Sequence, residues 1–441
     1  MTAPAKPTVS IVLPSVYILP ALIILLTLFN GFYNSMAAAF GYGFPFDTFC
    51  FSPKDLFADF IKAALSYPGP AIRNLDAWPA LFRDYLQHNP YGDVAALAEG
   101  KLTNLHGMPL PTLILLEARR AFAFRDATFV TLAFFAAVIL PFCGLIWAYC
   151  RRSSAGAITV LSFLLCYPLI FTVTRGNITA IMLGEALIAV ILLIWRGQNL
   201  WLAALLLALA VNLRPNALIF LALPLLRWPF RRSVAWAAAS LVMTAAMFWG
   251  ALALANRLYL DYTLANFYQA VLVYRKIYVI DDAGLAYGSS LFGGLKFLNI
   301  FFGNPAPTRA LELASSLLGL VCIALWLFLA LRRRFEPAAG LFALVAIYAL
   351  FSGVFGDYHL IIFFAFVLIY ARENLNPFAA GRGRDFWIAG ATLIALVPKN
   401  YLFLQGLSAQ VLLNPLILGG AALAVVVLAL SARPPPVAAA P

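Results

Sequence analysis

The sequence of 441 residues is poor in charge, since only 11% of its residues are Asp, Glu, Lys or Arg. Soluble globular proteins carry about 25% charged and about 45–50% apolar residues, whereas this chain is 63% hydrophobic. Too little polar surface remains to cover a particle in water. The composition therefore excludes a soluble enzyme, a soluble nucleic-acid-binding protein and a disordered protein, and it predicts a polytopic membrane protein.

The sequence also lacks the groups of cysteine and histidine that bind metals. Its five cysteines form no CxxC pair and no Cys/His cluster, so we expect no zinc site, no other metal site and no disulfide framework. No cofactor is expected either. No small-residue cleavage site follows the apolar run from Ile11 to Phe29, so we interpret this run as a retained first span rather than a signal peptide.

Long apolar runs predict an all-α polytopic integral membrane protein with about 12 transmembrane helices, because about 20 apolar residues cross the hydrocarbon of a bilayer. The two short runs on either side of Arg214-Pro215 are also compatible with one broken hairpin. The runs lie at about 9–29, 127–149, 156–174, 178–195, 199–213, 215–226, 233–255, 310–331, 338–354, 358–371, 386–404 and 411–431.

Basic residues cluster in every second connection between these runs. The clusters include Arg151-Arg152, Arg196, Arg227 with Arg231-Arg232, Arg332-Arg333-Arg334 and Arg372. Short cytoplasmic loops of membrane proteins are enriched in Arg and Lys, so topology explains the net charge of +12 and no nucleic-acid partner is expected. The asymmetry predicts that both termini are cytoplasmic.

The chain is predicted to be a single membrane domain over residues 1–441. Its parts are a cytoplasmic N-terminus 1–8, an external loop 30–126, central spans 127–255, a second external loop 256–309, C-terminal spans 310–431 and a disordered tail 432–441. We expect the long first loop to carry short amphipathic juxtamembrane helices. One of them, 109–124, is interpreted as lying in the outer interface or dipping partway into the membrane, because a full span there would turn the basic clusters outward.

A carboxylate in the first loop is the candidate catalytic group. Asp55 and Asp59 are four residues apart, which places both on one face of a short helix. A carboxylate held where hydrocarbon meets water has its charged form desolvated, which favours a general base. We select Asp59, which precedes the aromatic Phe60 and lies further into the amphipathic stretch. The alternative is a solvated acid that caps the helix.

Three further positions at the predicted external ends of spans can bind an anion. Arg175, in the run Arg175-Gly176-Asn177, and Arg214, before Pro215, carry positive charge where topology does not require it. Pro215 favours the first turn of a helix, whose N-terminal amides attract anions. Asp357 and His359 open a later span, where His359 can donate to a phosphate oxygen or be oriented by Asp357. The alternatives are arginines that snorkel to the interface and a histidine with no special role.

These residues resemble motifs of the C-type polyprenyl-phosphate-sugar-dependent glycosyltransferases, and most of all family 87, which includes polyprenol-phosphate mannosyltransferases. The resemblance covers Asp59-Phe60 in ADFIKAAL, the proline-containing segment HGMPLPTLILLE, the run TRGNITAIML, the run LALAVNLRPNALIFLALPLL and the late DYHLIIFFAF. It departs from the family at His106, where relatives often have an aromatic residue before Pro-Pro, and at Arg214, where Lys is common.

The resemblance implies transfer of a hexose, such as mannose, from a polyprenyl-monophosphate donor to a lipid-linked or cell-envelope glycan acceptor. Asp59 would be the catalytic base, and Arg175, Asn177, Arg214, Asp357 and His359 would bind substrate. The expected partners are the donor, a glycan or glycolipid acceptor and membrane lipid. The expected location is a bacterial inner membrane, with the active site on its external, periplasmic face.

Two other classes of function are compatible with the composition. A secondary transporter would be polytopic too, and Glu185 inside the fourth run is the ionisable residue that such a protein would need. A lipid-linked glycan polymerase or ligase would share the long external loop but would use a pyrophosphate donor. The motifs above favour the glycosyltransferase.

Overall fold

The computed structural model describes most of the chain outside the N-terminus, the greater part of the first loop and the C-terminal tail. The described residues are 17–41, 57–65, 108–150, 154–258, 264–281, 285, 288–303, 305–379, 381–399, 403–404, 407–408 and 410–431. The predicted cytoplasmic segment 1–8 and the predicted disordered tail 432–441 lie outside these residues, as do Asp55 and His106.

The described residues form helices almost throughout. The α-helices are α1 Ile18–Ala39, α2 Ala58–Leu65, α3 Pro109–Phe122, α4 Ala127–Tyr149, α5 Ser154–Leu164, α6 Tyr167–Arg175, α7 Ile178–Arg196, α8 Leu200–Leu213, α9 Phe230–Leu258, α10 Leu264–Tyr274, α11 Leu291–Phe301, α12 Thr308–Leu331, α13 Pro337–Phe351, α14 Phe364–Glu373, α15 Gly383–Leu396 and α16 Gln410–Ser431. Two 3-10 helices, Pro215–Leu226 and Asp357–Phe363, and a π-helix, Arg275–Ile280, add to them. Strands β1 Phe403–Leu404 and β2 Leu407–Ser408 pair antiparallel.

Six helices in the described part of the chain are long and apolar enough to cross a membrane, or seven if the bent pair α5 and α6 forms one span. The six are α1, α4, α7, α9, α12 and α16. Four shorter apolar helices are α8, the 3-10 helix Pro215–Leu226, α11 and α13. The protein is therefore an all-α, membrane-embedded protein, while the predicted count of about 12 spans is not confirmed.

Several predicted runs differ from the helices that form. The run 156–174 is divided between α5 and α6, which are bent by 45° at a break where Pro168 starts the second helix. The run 386–404 ends as a helix at Leu396, because Val397 precedes Pro398 and adopts an extended backbone. The run 358–371 consists of the 3-10 helix Asp357–Phe363 followed by α14.

The first loop carries two of the expected short helices, α2 and α3. α3 begins with two prolines in its first turn and buries one face that includes Thr112, Leu115 and Leu116. It packs against α2, α4, α8 and α9. α3 is not among the helices that are long and apolar enough to cross a membrane.

Three consecutive elements run back and forth between two ends of the helix bundle. α7 begins next to Asn177 and ends at Arg196, and its 19 residues cover about 28 Å at 1.5 Å per residue. α8 returns to Arg214, and the 3-10 helix that follows leads to Arg227. Asn177 and Arg214 thus lie at one end of these elements, and Arg196 and Arg227 lie at the other.

Arginines at the second end lie over aromatic rings. The guanidinium carbons of Arg196 and Arg372 are 5.8 Å and 5.7 Å from the centre of the Tyr149 ring. The guanidinium of Arg227 is 4.7 Å from the Trp195 ring. Such cation–π contacts stabilise charge at a boundary between apolar and polar surroundings. Members of three of the predicted basic clusters therefore share one end of the bundle.

Candidate functional site

A cavity of about 410 Å³ lies at the end of the bundle opposite these arginines. Its volume falls within the range of about 300–1,000 Å³ that is usual for ligand pockets. Its walls come from α2, α6, α7, α8, α10, the π-helix and the segment that leads into the second 3-10 helix. Five of the six predicted site residues line it, and they are Asp59, Arg175, Asn177, Arg214 and His359.

A backbone contact between α2 and the end of α6 sets the position of Asp59. The Phe57 amide donates to the Thr174 carbonyl at 2.7 Å, and Phe57 has a left-handed φ of 57°. Gly176 ends α6 with a φ of 81°. A Cβ added there would lie 2.7 Å from the carbonyl carbon and oxygen of Phe57. Glycine is therefore required both by the conformation and by the space.

Aromatic packing holds α2 in this place. Phe57 and Phe60 are buried, and both lie in ring contact with Phe135, at centroid distances of 6.3 Å and 6.1 Å. Phe60 also contacts Phe122 of α3 edge to face at 5.9 Å. The apolar face predicted for this stretch thus packs on α3 and α4, and Asp59 is left at the cavity.

Asp59 and Arg175 form an ion pair within the cavity. An Arg175 Nη2–Asp59 Oδ1 distance of 2.9 Å joins them, and the side chains are 19% exposed for Asp59 and 26% for Arg175. From the sequence, desolvation was expected to be the main influence on the Asp59 carboxylate. An opposite charge at this distance instead favours the ionised carboxylate. Asp59 and Arg175 thus place a carboxylate and a guanidinium side by side at the cavity.

Arg214 lies at the junction between α8 and the 3-10 helix. Its backbone is extended, with φ −154° and ψ 112°, as expected for the residue before Pro215. Its half-buried guanidinium donates to the Val354 carbonyl, and the neighbouring Asn216 amide donates to Ser352 Oγ at 2.8 Å. These bonds connect α8 to the segment 352–356, which forms another wall of the cavity.

His359 is a buried cavity residue whose ring nitrogens lack hydrogen-bond partners. Its side chain is 6% exposed, and neither Nδ1 nor Nε2 has a partner among the described residues. The ring packs against Phe355 and Tyr358, at centroid distances of 5.2 Å and 4.4 Å. Buried polar groups without partners are uncommon and call for an explanation. A hydrogen-bonding ligand in the cavity would provide one.

The other two predicted residues differ in their surroundings. The Asn177 side chain lines the cavity and also caps α7, because its Oδ1 accepts from the Ala180 amide at 3.1 Å and from the Thr179 hydroxyl at 2.9 Å. Asp357 is not part of the cavity lining. It is fully buried and accepts a hydrogen bond from the Tyr167 hydroxyl at 3.1 Å.

The second long loop contributes cavity residues that the sequence reading did not select. Tyr274 and Tyr278 line the cavity, and their ring centroids are 4.8 Å apart in a stacked arrangement. Phe267, two turns before Tyr274 in α10, lines it too. The spacing of the two tyrosines, four apart in the run YRKIYVI, was the available signal. Arg275 between them pairs with Glu312 of α12 at 2.8 Å and so ties this wall to a span.

Among the residues that the structure describes, no group of three His, Cys, Asp or Glu side chains lies close enough together to hold a metal ion. The ionisable side chains that line the cavity are one carboxylate, two guanidinium groups, one imidazole and the phenols of Tyr274, Tyr278 and Tyr358. These groups can accept a proton and bind an anion.

Comparison of the chain with protein-family models, with curated proteins and with solved structures finds no match. The fold and the cavity therefore define the class of protein. It is an all-α, membrane-embedded protein with a cavity at one end of its helices, where Asp59, Arg175, Arg214 and His359 meet.

The contact between Phe57 and Gly176 predicts a difference between two glycine substitutions. Gly176→Ala and Gly197→Ala both place alanine at a left-handed φ, 81° and 64°, at the end of a helix. Only the first also meets backbone, since nothing lies within 4 Å of a Cβ at Gly197. Gly176→Ala should therefore lose about 1–3 kcal/mol more stability, measured by thermal unfolding in detergent. Equal losses would contradict the close approach.

Proposed function

We propose that this protein is a membrane glycosyltransferase that transfers a hexose, such as mannose, from a polyprenyl-monophosphate donor to a lipid-linked or cell-envelope glycan acceptor. The observation that carries the proposal is the Asp59–Arg175 ion pair in a cavity that also contains Arg214 and His359. Transfer of a phosphate-linked sugar requires a proton acceptor and an anion site next to each other.

In the proposed reaction, Asp59 accepts the proton of an acceptor hydroxyl while the hydroxyl oxygen attacks the anomeric carbon of the donor. The bond between that carbon and the phosphate oxygen breaks, and its electron pair leaves with the polyprenyl monophosphate. The guanidinium groups of Arg175 and Arg214 stabilise the charge that grows on this leaving group. The donor carries its own leaving group, so the reaction needs no nucleotide.

The ion pair links these two roles. As the phosphate gains negative charge in the transition state, it competes with the Asp59 carboxylate for the Arg175 guanidinium, which can bind two phosphate oxygens at once. When Arg175 turns to the phosphate, Asp59 loses its ion pair with Arg175 and becomes a stronger base. Proton transfer is therefore favoured while the donor occupies the cavity.

His359 and Arg214 complete the proposed anion site. The N–H of the His359 imidazole can donate to a phosphate oxygen. This bond would give a partner to a ring nitrogen that has none among the described residues. Arg214 keeps one bond to Val354 and has further N–H groups that can reach a ligand. Asn177, on the same wall, can bind a sugar hydroxyl.

The finer topology is part of the proposal. It has about 12 spans in a bacterial inner membrane, cytoplasmic termini and a cavity on the external, periplasmic face. Support comes from the arginines that lie over Tyr149 and Trp195 at the opposite end of the bundle. Short cytoplasmic loops are where such residues accumulate.

The two ends of α12 test this orientation. Arg309 and Arg332 are both exposed, and they lie at opposite ends of a helix of 24 residues. In a background without native cysteines, a membrane-impermeant maleimide should label Arg309→Cys in intact cells. It should label Arg332→Cys only after the membrane is permeabilised. The opposite pattern would place the cavity on the cytoplasmic side.

Asp59→Asn tests the catalytic base. The change keeps the shape of the side chain but removes proton acceptance, so transfer of labelled hexose should fall by about 10²–10⁴-fold while expression and donor binding persist. Asp126→Asn is the matched control, since Asp126 is exposed and caps α4 by accepting from the Phe129 amide at 3.0 Å. Full activity in Asp59→Asn would rule out this mechanism.

Asp55 provides a second comparison for the base. Asp55 lies outside the described residues, and the sequence predicts that it caps the short helix. Asn caps a helix about as well as Asp, so Asp55→Asn should have a much milder effect on transfer than Asp59→Asn. If Asp55→Asn abolished transfer and Asp59→Asn did not, Asp55 would be the base.

Arg214 and Arg175 test the anion site. Arg175→Ala and Arg214→Ala should each weaken donor use by about 1.5–3 kcal/mol, the contribution of a hydrogen bond to a charged group. The readout is the rate at limiting donor. Arg214→Lys keeps the charge and should retain more activity than Arg214→Ala. Arg309→Ala, which removes an exposed arginine outside the cavity lining, is the control. Unchanged rates in both alanine variants would make these arginines interface anchors only.

A secondary transporter is the second candidate, and Glu185 is the observation that favours it. Glu185 is buried within α7, and its Oε1 has no hydrogen-bond partner among the described residues. Ionisable groups inside spans often mark transport pathways. Uptake of a labelled solute into proteoliposomes, abolished by Glu185→Gln and without sugar transfer, would support this candidate over the glycosyltransferase.

A further inference from the structure

A buried polar cluster lies outside the lining of the cavity. Asp357 accepts hydrogen bonds from the Tyr167 hydroxyl at 3.1 Å, from the Asn414 amide at 3.3 Å and from the Ser289 hydroxyl. Asn414 also donates to Ser289 Oγ at 2.8 Å, and Gln410 donates to the Tyr167 hydroxyl at 3.3 Å. All five side chains are buried, and none belongs to the cavity lining. They form what we name the Asp357 cluster.

The Asp357 cluster joins parts of the chain that are far apart in sequence. Asp357 is separated from Asn414 by 57 residues, from Ser289 by 68 and from Tyr167 by 190. These partners belong to α16, to the connection before α11 and to α6. A buried carboxylate is costly unless several donors satisfy it. The cluster therefore fixes one point of the chain against three others.

Backbone bonds extend this fixed point to the cavity wall. The Ser289 amide donates to the Phe355 carbonyl at 2.7 Å, and Gly288 forms an antiparallel bridge with Gly356. The His359 amide donates to the Gly356 carbonyl at 2.9 Å. The chain just before and after Asp357 is thus held on both sides.

Ring stacking makes a second connection between the cluster and the cavity. The Tyr167 ring stacks on Phe171 at 5.6 Å, and Phe171 stacks on Tyr358 at 6.2 Å. Phe171, Tyr358 and His359 all line the cavity. A shift of Tyr167 would therefore reach the cavity wall through two ring contacts as well as through Asp357.

We infer that Asp357 is a positioning residue rather than a substrate ligand, and that its cluster with Tyr167, Ser289 and Asn414 holds Tyr358 and His359 in the cavity wall. The side chain does not touch substrate. It acts through the segment 355–359. Tyr358 and His359, the two residues after Asp357, present an aromatic ring and an imidazole to the cavity. The kinetic consequence rests on the proposed function, whereas the structural one does not.

The first test follows His359 directly, without any transfer assay. The chain has only three histidines, so ¹³C-labelled histidine in the full-length protein gives few signals, and His359→Gln assigns one of them. Tyr167→Phe and Ser289→Ala each remove one donor to Asp357 and should move the His359 signal. If neither variant moved it, the inference would be wrong.

Matched variants outside the Asp357 cluster serve as controls. Tyr370→Phe also removes a hydroxyl donated to a carboxylate, that of Asp385 at 3.4 Å. Ser240→Ala removes a buried hydroxyl that donates to the Trp236 carbonyl at 2.9 Å. Neither residue belongs to the Asp357 cluster or to the cavity lining. These variants should leave the His359 signal in place, and an equal shift in all four would show a general loosening instead of positioning.

The second test separates donor use from folding. With a polyprenyl-phosphate hexose as substrate, Tyr167→Phe and Ser289→Ala should raise the donor KM about three- to tenfold, which corresponds to the net contribution of a typical hydrogen bond. The change in kcat should be smaller, and the thermal midpoints should match those of the control variants. Unchanged KM in both variants would overturn the kinetic part. If the wild-type protein transfers no sugar, the proposed function fails, and the histidine signal alone decides the inference.

Discussion

The close approach of the Phe57 backbone to Gly176 is the contact on which the cavity depends. It joins a helix of the first loop to the end of α6, so that Asp59 and Arg175 face each other at 2.9 Å. The bond from the Phe57 amide to the Thr174 carbonyl is part of the same contact and joins the two helices next to the ion pair. The aromatic packing of Phe57 and Phe60 supplies apolar burial, and the glycine supplies the geometry.

Much of the helical fold could be predicted from the sequence, because long apolar runs are a direct consequence of the bilayer. α4 and α7 match their predicted runs closely. The number of spans could not be predicted in the same way. α8 has 14 residues and the next element is a 3-10 helix of 12, and these lengths suit a buried hairpin as well as two spans. Prolines such as Pro168 and Pro398 decide where a run breaks, and apolarity alone does not reveal this.

The candidate site was predictable in part for a related reason. Arg175 and Arg214 are charges at the ends of apolar runs, and Asp59 belongs to a loop on the same predicted face. A topology that places these parts together therefore also brings the charges together. The role of Asp357 could not be derived in this way. Its partners lie 57 to 190 residues away, and only the packed structure shows that they surround the carboxylate. Tyr274 and Tyr278 of the second long loop were missed because they carry no charge and do not lie at the end of a predicted span.

Transfer of labelled hexose by the purified full-length protein from polyprenyl-phosphate donors tests the central claim most directly. The account predicts a glycosylated acceptor and one polyprenyl monophosphate released for each hexose transferred, with monophosphate donors preferred over pyrophosphate donors. A panel that varies the sugar, the prenyl length and the acceptor makes a negative result meaningful. No transfer from any donor in such a panel, with solute uptake in proteoliposomes instead, would contradict the account.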